Sequence, residues 1–301
     1  MRIAFAGSPA AALPTLEWLS GSKHELVRIF TQPDRPAGRG KALTSTPVGL
    51  WADNNSIPAI KATHANELAN HLHDIECVVT VGYGILLPQH ILDIPRHGFI
   101  NLHFSLLPAW RGAAPVQRAI ENQDPFTGVT VFQLDAGMDT GPYFEMSRFA
   151  LDDDITSDEL LSELAELGVE AIKSTLTKIE KGVMPTPQSR EGVSRALKLN
   201  KAEGKIDWNR DAKSVSAHIR AFTSNPGAWT SFRGQLLKIE VASISNQQLL
   251  PGQIKVFEKR LLIGTADYAL EISHLTPQGK ARIESASWVN GARLSGDDFC
   301  E

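Results

Sequence analysis

The chain has 301 residues, 42% hydrophobic and 21% charged, the balance of a water-soluble globular protein long enough for one large core or two smaller ones. Its net charge of -4 argues against a polyanion-binding surface spread over the whole molecule and leaves room for a local basic patch. Two cysteines, Cys77 and Cys300, with no C-x-x-C pair, argue against a disulfide framework and a cysteine-based zinc site. No apolar run approaches the roughly 20 residues that span a bilayer. The first residues lack the basic start, long apolar stretch and cleavage site of a signal peptide, so the expectation is a cytoplasmic protein.

In chain order, "RIAFAG" (2–7) reads as a buried strand and "AAALPTLEWLSG" (10–21) as a helix ending on Gly21. "ELVRIFTQ" (25–32) is a second strand, followed by a helix near "PVGLWADNN" (47–55) and a short strand "PAIKA" (58–62). "ANELANHLHD" (65–74) is helical, and "CVVTVGYG" (77–84) and "GFINLHFS" (98–105) are strands. A helix "APVQRAIENQ" (114–123) precedes two more strands, "GVTVFQLD" (128–135) and "YFEMSRFAL" (143–151). Strands that alternate with helices and read as apolar runs predict a Rossmann-like α/β domain, its mostly parallel sheet covered on both faces. In such sheets ligands bind outside the carboxyl ends of the strands.

Residues 155–181 form one long helical pattern, with Ser157 as N-cap and Asp158 and Glu159 in its first turn. The following stretch, rich in Pro, Gly and charge, reads as a linker or traversing segment. A helix over "AKSVSAHIRAF" (212–222) is succeeded by short strands punctuated by Gly, Pro and Asn, the pattern of a small β-barrel. The expected organisation is a catalytic domain over 1–185, a linker over 186–205 and a C-terminal β-barrel over 206–301. The barrel span holds 11 of the 30 basic and 10 of the 34 acidic residues, a mild asymmetry that permits a nucleic-acid contact without demanding one.

Several chemistries are disfavoured by absent motifs. The first strand runs into "AGSPAAA" rather than G-x-G-x-x-G, and there is no G-x-x-x-x-G-K-[ST] or G-x-S-x-G. His71 and His73 sit two apart, a spacing that points side chains away from each other on a helix. What stands out is "FINLHFS", where alternation puts Asn101, His103 and Ser105 on one side and Ile100, Leu102 and Phe104 on the other. A later glycine-rich turn, "LDAGMDTG", carries Asp135 and Asp139. An Asn amide can donate to a developing oxyanion, and a His can relay a proton under the influence of a carboxylate. Such a set suits acyl transfer to an amine that brings its own nucleophile. The competing reading is a strand-end pair that only satisfies backbone groups.

The string "NLHFSLLPAWRG" (101–112) with downstream "MDTG" (138–141) resembles the folate-dependent formyltransferase family, whose signature is Asn-x-His-x-Ser-Leu-Leu-Pro-x-x-Arg-Gly plus a later Asp. "TQPDRPAGRGKAL" (31–43), "RGAAPVQRAI" (111–120), "LNKAEGKIDW" with "IRAF" (199–222) and the tail "LTPQGKARIESASWVNGARL" (275–294) are similar to members acting on an aminoacylated tRNA. The resemblance runs over nearly the whole chain. It implies that Asn101, His103 and Asp139 are catalytic and that Ser105, Leu106, Leu107 and Pro108 line the folate site. It implies that the loop 33–41, through Arg35, Arg39 and Lys41, touches the tRNA acceptor end, with Arg39 the strongest candidate. It implies an OB-like barrel that holds tRNA.

The reaction implied is formyl transfer from 10-formyltetrahydrofolate, a co-substrate, to the α-amine of initiator methionyl-tRNA for translation initiation. The amine attacks directly through a tetrahedral intermediate, Asn101 and His103 donate to the oxygen, and Asp139 orients His103 and raises its pKa. No metal and no covalent enzyme intermediate are required. A monomer is expected because no heptad or apolar interface stands out. Two rivals remain at this level: a formyltransferase for a sugar amine or nucleotide precursor, and a non-catalytic RNA- or folate-binding protein.

Overall fold

Apolar runs such as "CVVTV" are buried from both sides, and the computed structural model, which describes residues 1–37, 42–296 and 298–301, shows how. The chain forms two compact units. The first comprises Met1–Gly112, Thr127–Ala150 and Leu161–Arg195; the second comprises Ala113–Phe126, Leu151–Leu160 and Ala196–Glu301.

The first unit is built on a seven-stranded sheet of β1 (Arg2–Gly7), β2 (Glu25–Thr31), β3 (Ala59–Lys61), β4 (Cys77–Val81), β5 (Phe99–His103), β6 (Phe126–Gln133) and β7 (Tyr143–Ala150). Their spatial order is β7-β6-β5-β4-β1-β2-β3. The pairs β1–β2, β1–β4, β2–β3 and β4–β5 are parallel, while β6 runs antiparallel to β5. Along β1, Ala4 and Ala6 join Phe30, Val78 and Phe99 in one buried cluster, and Ile3 and Phe5 are equally buried on the alternate positions. This is the covered, mostly parallel sheet that the apolar runs predict. The strand order reverses between β1 and β4, so the crevice beyond their carboxyl ends is the expected ligand position.

The helix Ser157–Glu180 crosses the two units. Its start is capped by Thr156 rather than Ser157: the Thr156 N–H donates to Glu159 Oε2 at 2.9 Å and the Glu159 N–H to Thr156 Oγ1 at 3.4 Å. The Ser157 hydroxyl donates instead to the Thr223 carbonyl. Further along, Gly168 lets this helix approach β5, because a Cβ there would lie 2.4 Å from Leu102 Cδ2. The helix expected over 65–74 shrinks to Asn66–Ala69, followed by turns closed by i→i−3 bonds at His71, Leu72 and Ile75. Those turns still bury Leu68, Leu72 and Ile75, the side chains that produced the helical period.

The second unit carries a six-stranded antiparallel sheet of β8 (Ala228–Phe232), β9 (Gln235–Ile244), β10 (Ile254–Phe257), β11 (Arg260–Ile263), β12 (Leu270–Pro277) and β13 (Ile283–Glu284). The order is β8-β9-β12-β11-β10, with β13 paired to β12. The last residues join its two edges. Glu301 exchanges backbone hydrogen bonds with Ser231 of β8 at 2.9 and 2.8 Å, while Cys300 donates to Gly252 at 2.8 Å and Ile254 of β10 donates to Asp298 at 2.9 Å. That bridging links the two edge strands through the last residues, in keeping with the small β-barrel that the sequence predicts.

The second unit also takes in Ala113–Phe126 and Leu151–Leu160, which fall inside the 1–185 span assigned from sequence. The reason is polar as well as apolar: on the helix Pro115–Glu121, Arg118 pairs with Glu203, and Glu121 lies 3.1 Å from Nδ1 of His218 on the helix Ala212–Phe222. Cys77 and Cys300 are buried free thiols, each pushed up to about 12 by burial. No helix among the described residues is long and apolar enough to cross a membrane.

Candidate active site

Asn101 and His103 lie at the carboxyl end of β5. Asn101 pairs across the ladder with Thr80 of β4 and Phe132 of β6, and His103 with Thr130 of β6. The Thr80 hydroxyl, on a residue 2% exposed, lies 2.8 Å from Asn101 Oδ1 and 3.0 Å from the Ile100 carbonyl oxygen. Both neighbours accept, so the hydroxyl shares its proton between them. The amide oxygen of Asn101 is thereby turned inward, and its NH2 is left as the outward-facing donor.

His103 is 6% exposed, with its ring edge-on to Phe132 at 6.4 Å between centroids. Its Nε2 lies 3.0 Å from the Trp110 carbonyl oxygen, which can only accept, so the proton of the neutral ring sits on Nε2. Nδ1 then holds the lone pair and lies 3.8 Å from Asp139 Oδ2. Burial lowers the His103 pKa below its ordinary value; the Asp139 charge and the Trp110 carbonyl push it back up without overcoming burial. The net direction therefore differs from the elevation expected from an Asp139 partner alone.

Asp139 occupies the turn between β6 and β7 with φ of 54°, in the left-handed region. Its Oδ2 accepts the Gly112 N–H at 2.8 Å, which ties that turn to the Arg-Gly pair of the signature. Asp135, two residues beyond β6, serves the turn itself: its Oδ1 accepts from the Gly137 N–H at 3.0 Å and the Thr140 hydroxyl at 2.7 Å. The structure thus brings His103 and Asp139 together, with Asn101 two residues before His103 on the same strand, and commits Asp135 to its own turn.

The turn after β5 is built around Ser105 and Thr130. Ser105 is 0% exposed, and its hydroxyl donates to the Ala109 carbonyl at 2.6 Å. The Thr130 hydroxyl donates to the Ser105 carbonyl at 2.7 Å and accepts from the Leu107 N–H at 3.1 Å. Leu107 is also buried, whereas Leu106 and Pro108 keep partial exposure. The Ser105 hydroxyl is therefore committed to the turn.

Among the basic residues expected at RNA, Arg35 is exposed on a short strand, Arg35–Ala37, that pairs antiparallel with Ala42–Thr44. Arg39 and Lys41 lie outside the described residues. Arg111 donates to the Gln188 amide oxygen at 3.2 Å through Nε and 2.7 Å through Nη2.

Sequence reading passed over three contributors. Thr80 sets the Asn101 amide. Ser194 grips the turn that carries Trp110: its hydroxyl accepts the Trp110 N–H at 2.8 Å, its N–H donates to Pro108 at 3.3 Å, and its carbonyl accepts from Arg111 at 3.0 Å. Gln188 donates to the carbonyls of Asp139 and Gly141 at 2.9 and 2.7 Å. The stretch read as a linker or traversing segment thus belongs, through Arg195, to the first unit, where it holds the site loops.

A partly buried amide donor, a histidine with a ring nitrogen not committed to the backbone and a nearby carboxylate, at the carboxyl end of a strand in a mostly parallel sheet, can serve group transfer without a protein nucleophile. The chain belongs to the formyl transferase family: residues 1–176 match its Formyl transferase domain and residues 198–293 match the Formyl transferase, C-terminal domain.

A relative named methionyl-tRNA formyltransferase from Rhodococcus erythropolis is 42% identical over 99% of this chain and 99% of its own length. One of the same name from Salinispora tropica is 41% identical over 98% of each chain. Among solved structures, HypX from Aquifex aeolicus in complex with tetrahydrofolic acid superposes with a TM-score of 0.72 over 100% of this chain at 18% identity. The chain spans 50% of HypX, and that likeness is one of fold.

Proposed function

We propose that this formyltransferase moves the formyl group of 10-formyltetrahydrofolate to the α-amino group of initiator methionyl-tRNA, giving N-formylmethionyl-tRNA. The observation that carries the reading is the meeting of Asn101, His103 and Asp139 at one strand end, with Nδ1 of His103 3.8 Å from Asp139. Identity of 41% and 42% over nearly the full length to relatives named for methionyl-tRNA supports that acceptor over a sugar amine.

The neutral amine attacks the formyl carbon. As the carbonyl oxygen gains charge, the Asn101 NH2, set by Thr80, donates to it. His103 starts neutral, its Nε2–H engaged with Trp110, so it cannot donate from Nδ1 at the outset. Nδ1 instead takes the proton that the amine loses, and Asp139 stabilises the imidazolium so formed. A separation of 3.8 Å is too long for a direct hydrogen bond and suits a water or a substrate N–H between the two groups. When the intermediate collapses, the imidazolium returns the proton to the departing N10 of the folate, and His103 ends neutral. No metal and no covalent enzyme intermediate take part.

In this reading the folate lies beyond β4 and β5 against Leu106 and Pro108, with Ser105 and Leu107 shaping the turn from beneath. The acceptor end of the tRNA meets Arg35, Arg39 and Lys41, and the barrel over 206–301 holds the rest of the RNA. The protein acts as a monomer in the cytoplasm.

The test is transfer of labelled formyl from 10-formyltetrahydrofolate, with methionyl-tRNA, uncharged tRNA, free methionine and an amino-sugar nucleotide as acceptors. Label should appear on methionyl-tRNA alone. Transfer to the amino sugar in its place would keep the chemistry and overturn the acceptor.

A further inference from the structure

Gln188 lies 49 residues from Asp139 in a stretch without any catalytic sequence signal, yet its side chain is fully engaged around the Asp139 turn. Nε2 donates to the carbonyl oxygens of Asp139 at 2.9 Å and Gly141 at 2.7 Å. Oε1 accepts from Arg111 Nε at 3.2 Å and Nη2 at 2.7 Å. Two carbonyls require a donor and a guanidinium requires an acceptor. A planar primary amide supplies both from one group, and a carboxylate of the same size supplies only the second.

The platform under Gln188 is fixed as well. Thr186 and Tyr143 exchange both backbone hydrogen bonds at 2.8 Å, which extends the edge of β7 by one bridge. Arg111 is held through its own N–H by the Ser194 carbonyl at 3.0 Å. The clamp acts on a backbone turn in which Asp139 has φ of 54°, a conformation uncommon for non-glycine residues although Asp adopts it more readily than most.

We propose that Gln188 is the positioning residue of Asp139: by holding the Asp139 and Gly141 carbonyls against Arg111 it fixes the distance between the Asp139 carboxylate and His103. The inference rests on the catalytic reading of Asn101, His103 and Asp139. Its consequence is specific. Asp139 is the charged group that raises the His103 pKa against burial, with the Trp110 carbonyl as the other polar partner and the Phe132 ring at its edge. A loosened Asp139 turn lessens that push, so the His103 titration moves to lower pH.

The experiment compares wild type, Gln188→Ala, Gln188→Glu and Asp139→Asn as full-length proteins. It measures kcat and both KM values for formyl transfer, thermal unfolding, and the His103 ring titration by NMR. Gln188→Ala should lower kcat by about tenfold to a hundredfold, the scale of a misplacement near 1 Å, with both KM values held within about threefold. Its His103 midpoint should move down. Gln188→Glu keeps the size and the Arg111 partner but sets a carboxylate against two carbonyls, so it should lose at least as much while remaining folded.

Wild-type kcat and an unmoved His103 titration in Gln188→Ala, with Asp139→Asn inactive, would overturn the positioning role alone. Wild-type turnover in Gln188→Glu would also overturn it, leaving only the Arg111 link. Full activity in Asp139→Asn would remove the catalytic reading and this inference with it.

Discussion

Thr80→Val tests whether the orientation of Asn101 matters to the reaction. The substitution keeps the β-branched shape at a site 2% exposed and removes only the hydroxyl that faces Asn101 Oδ1 at 2.8 Å and the Ile100 carbonyl at 3.0 Å. A typical intramolecular hydrogen bond contributes about 0.5–1.5 kcal/mol net. Here one proton serves two acceptors, so the preference for NH2-outward over the flipped amide should be about 0.5–1 kcal/mol. Without that preference the NH2-outward fraction falls from about 0.7–0.85 to about one half, a loss of roughly 1.4- to 1.7-fold in kcat with little change in KM. Asn101→Ala deletes the donor itself and should cost on the order of 10²–10³ in kcat. The assay is single-turnover formylation of methionyl-tRNA by both single variants and the double variant. In the Asn101→Ala background, adding Thr80→Val should leave the rate unchanged, since no amide remains to orient. Equal rate losses from Thr80→Val in both backgrounds would refute the reasoning, because they would mean that Thr80 acts through the strand and not through Asn101.

Followed by NMR, the His103 ring should titrate below its ordinary value of 6.5, because burial outweighs the Asp139 charge. Asp139→Asn should lower the midpoint further, and an upward move would contradict the assignment of Asp139 as the raising influence. Gly128→Ala should destabilise the first unit: the added Cβ would lie 2.1 Å from the Ser147 carbonyl oxygen and 2.7 Å from Leu106 Cδ2. A loss of about 1–3 kcal/mol is expected for such overpacking, read as a drop in Tm; an unchanged Tm would show that β6 and β7 separate freely there. Glu121→Gln should weaken the barrel unit near neutral pH. The His218 hydrogen bond, with Arg118 second among the lowering contacts, holds the Glu121 carboxyl below its ordinary 4.5 despite its burial. The stabilisation is present above 4.5 and is lost as pH falls through the lower folded value, so the Tm gap between wild type and variant should close as pH drops from about 5 toward 3.

The two strongest sequence signals were local ones. Asn101 and His103 sit two residues apart on a strand, so period-two alternation puts them on one side, and the proline that follows marks the end of the core. The helix Ala212–Phe222 was legible from its local pattern, and the structure adds its cap, Asp211, whose carboxylate accepts the Ser214 N–H at 2.9 Å. Thr80, Gln188 and Ser194 gave no such signal. Their partners lie 21, 49 and 84 residues away, and a threonine in an apolar strand is indistinguishable by composition from a residue that merely favours β structure.

The ionisation of His103 was hidden for a related reason. Sequence pairs it with Asp139 and so suggests a raised pKa, but the burial that reverses the direction comes from the packing of β5 against its neighbours. The difference bears on mechanism. A histidine protonated at rest would offer a donor from the start, whereas the buried neutral ring must first accept the proton that attack releases. In the proposed mechanism the order of proton movement is therefore set by packing, and Gln188, which donates to the Asp139 carbonyl, and Ser194, which holds the Trp110 turn, belong to the stretch whose composition reads as a linker or traversing segment. Composition reports whether a segment builds its own core; it does not report whether the segment's polar groups complete someone else's turn.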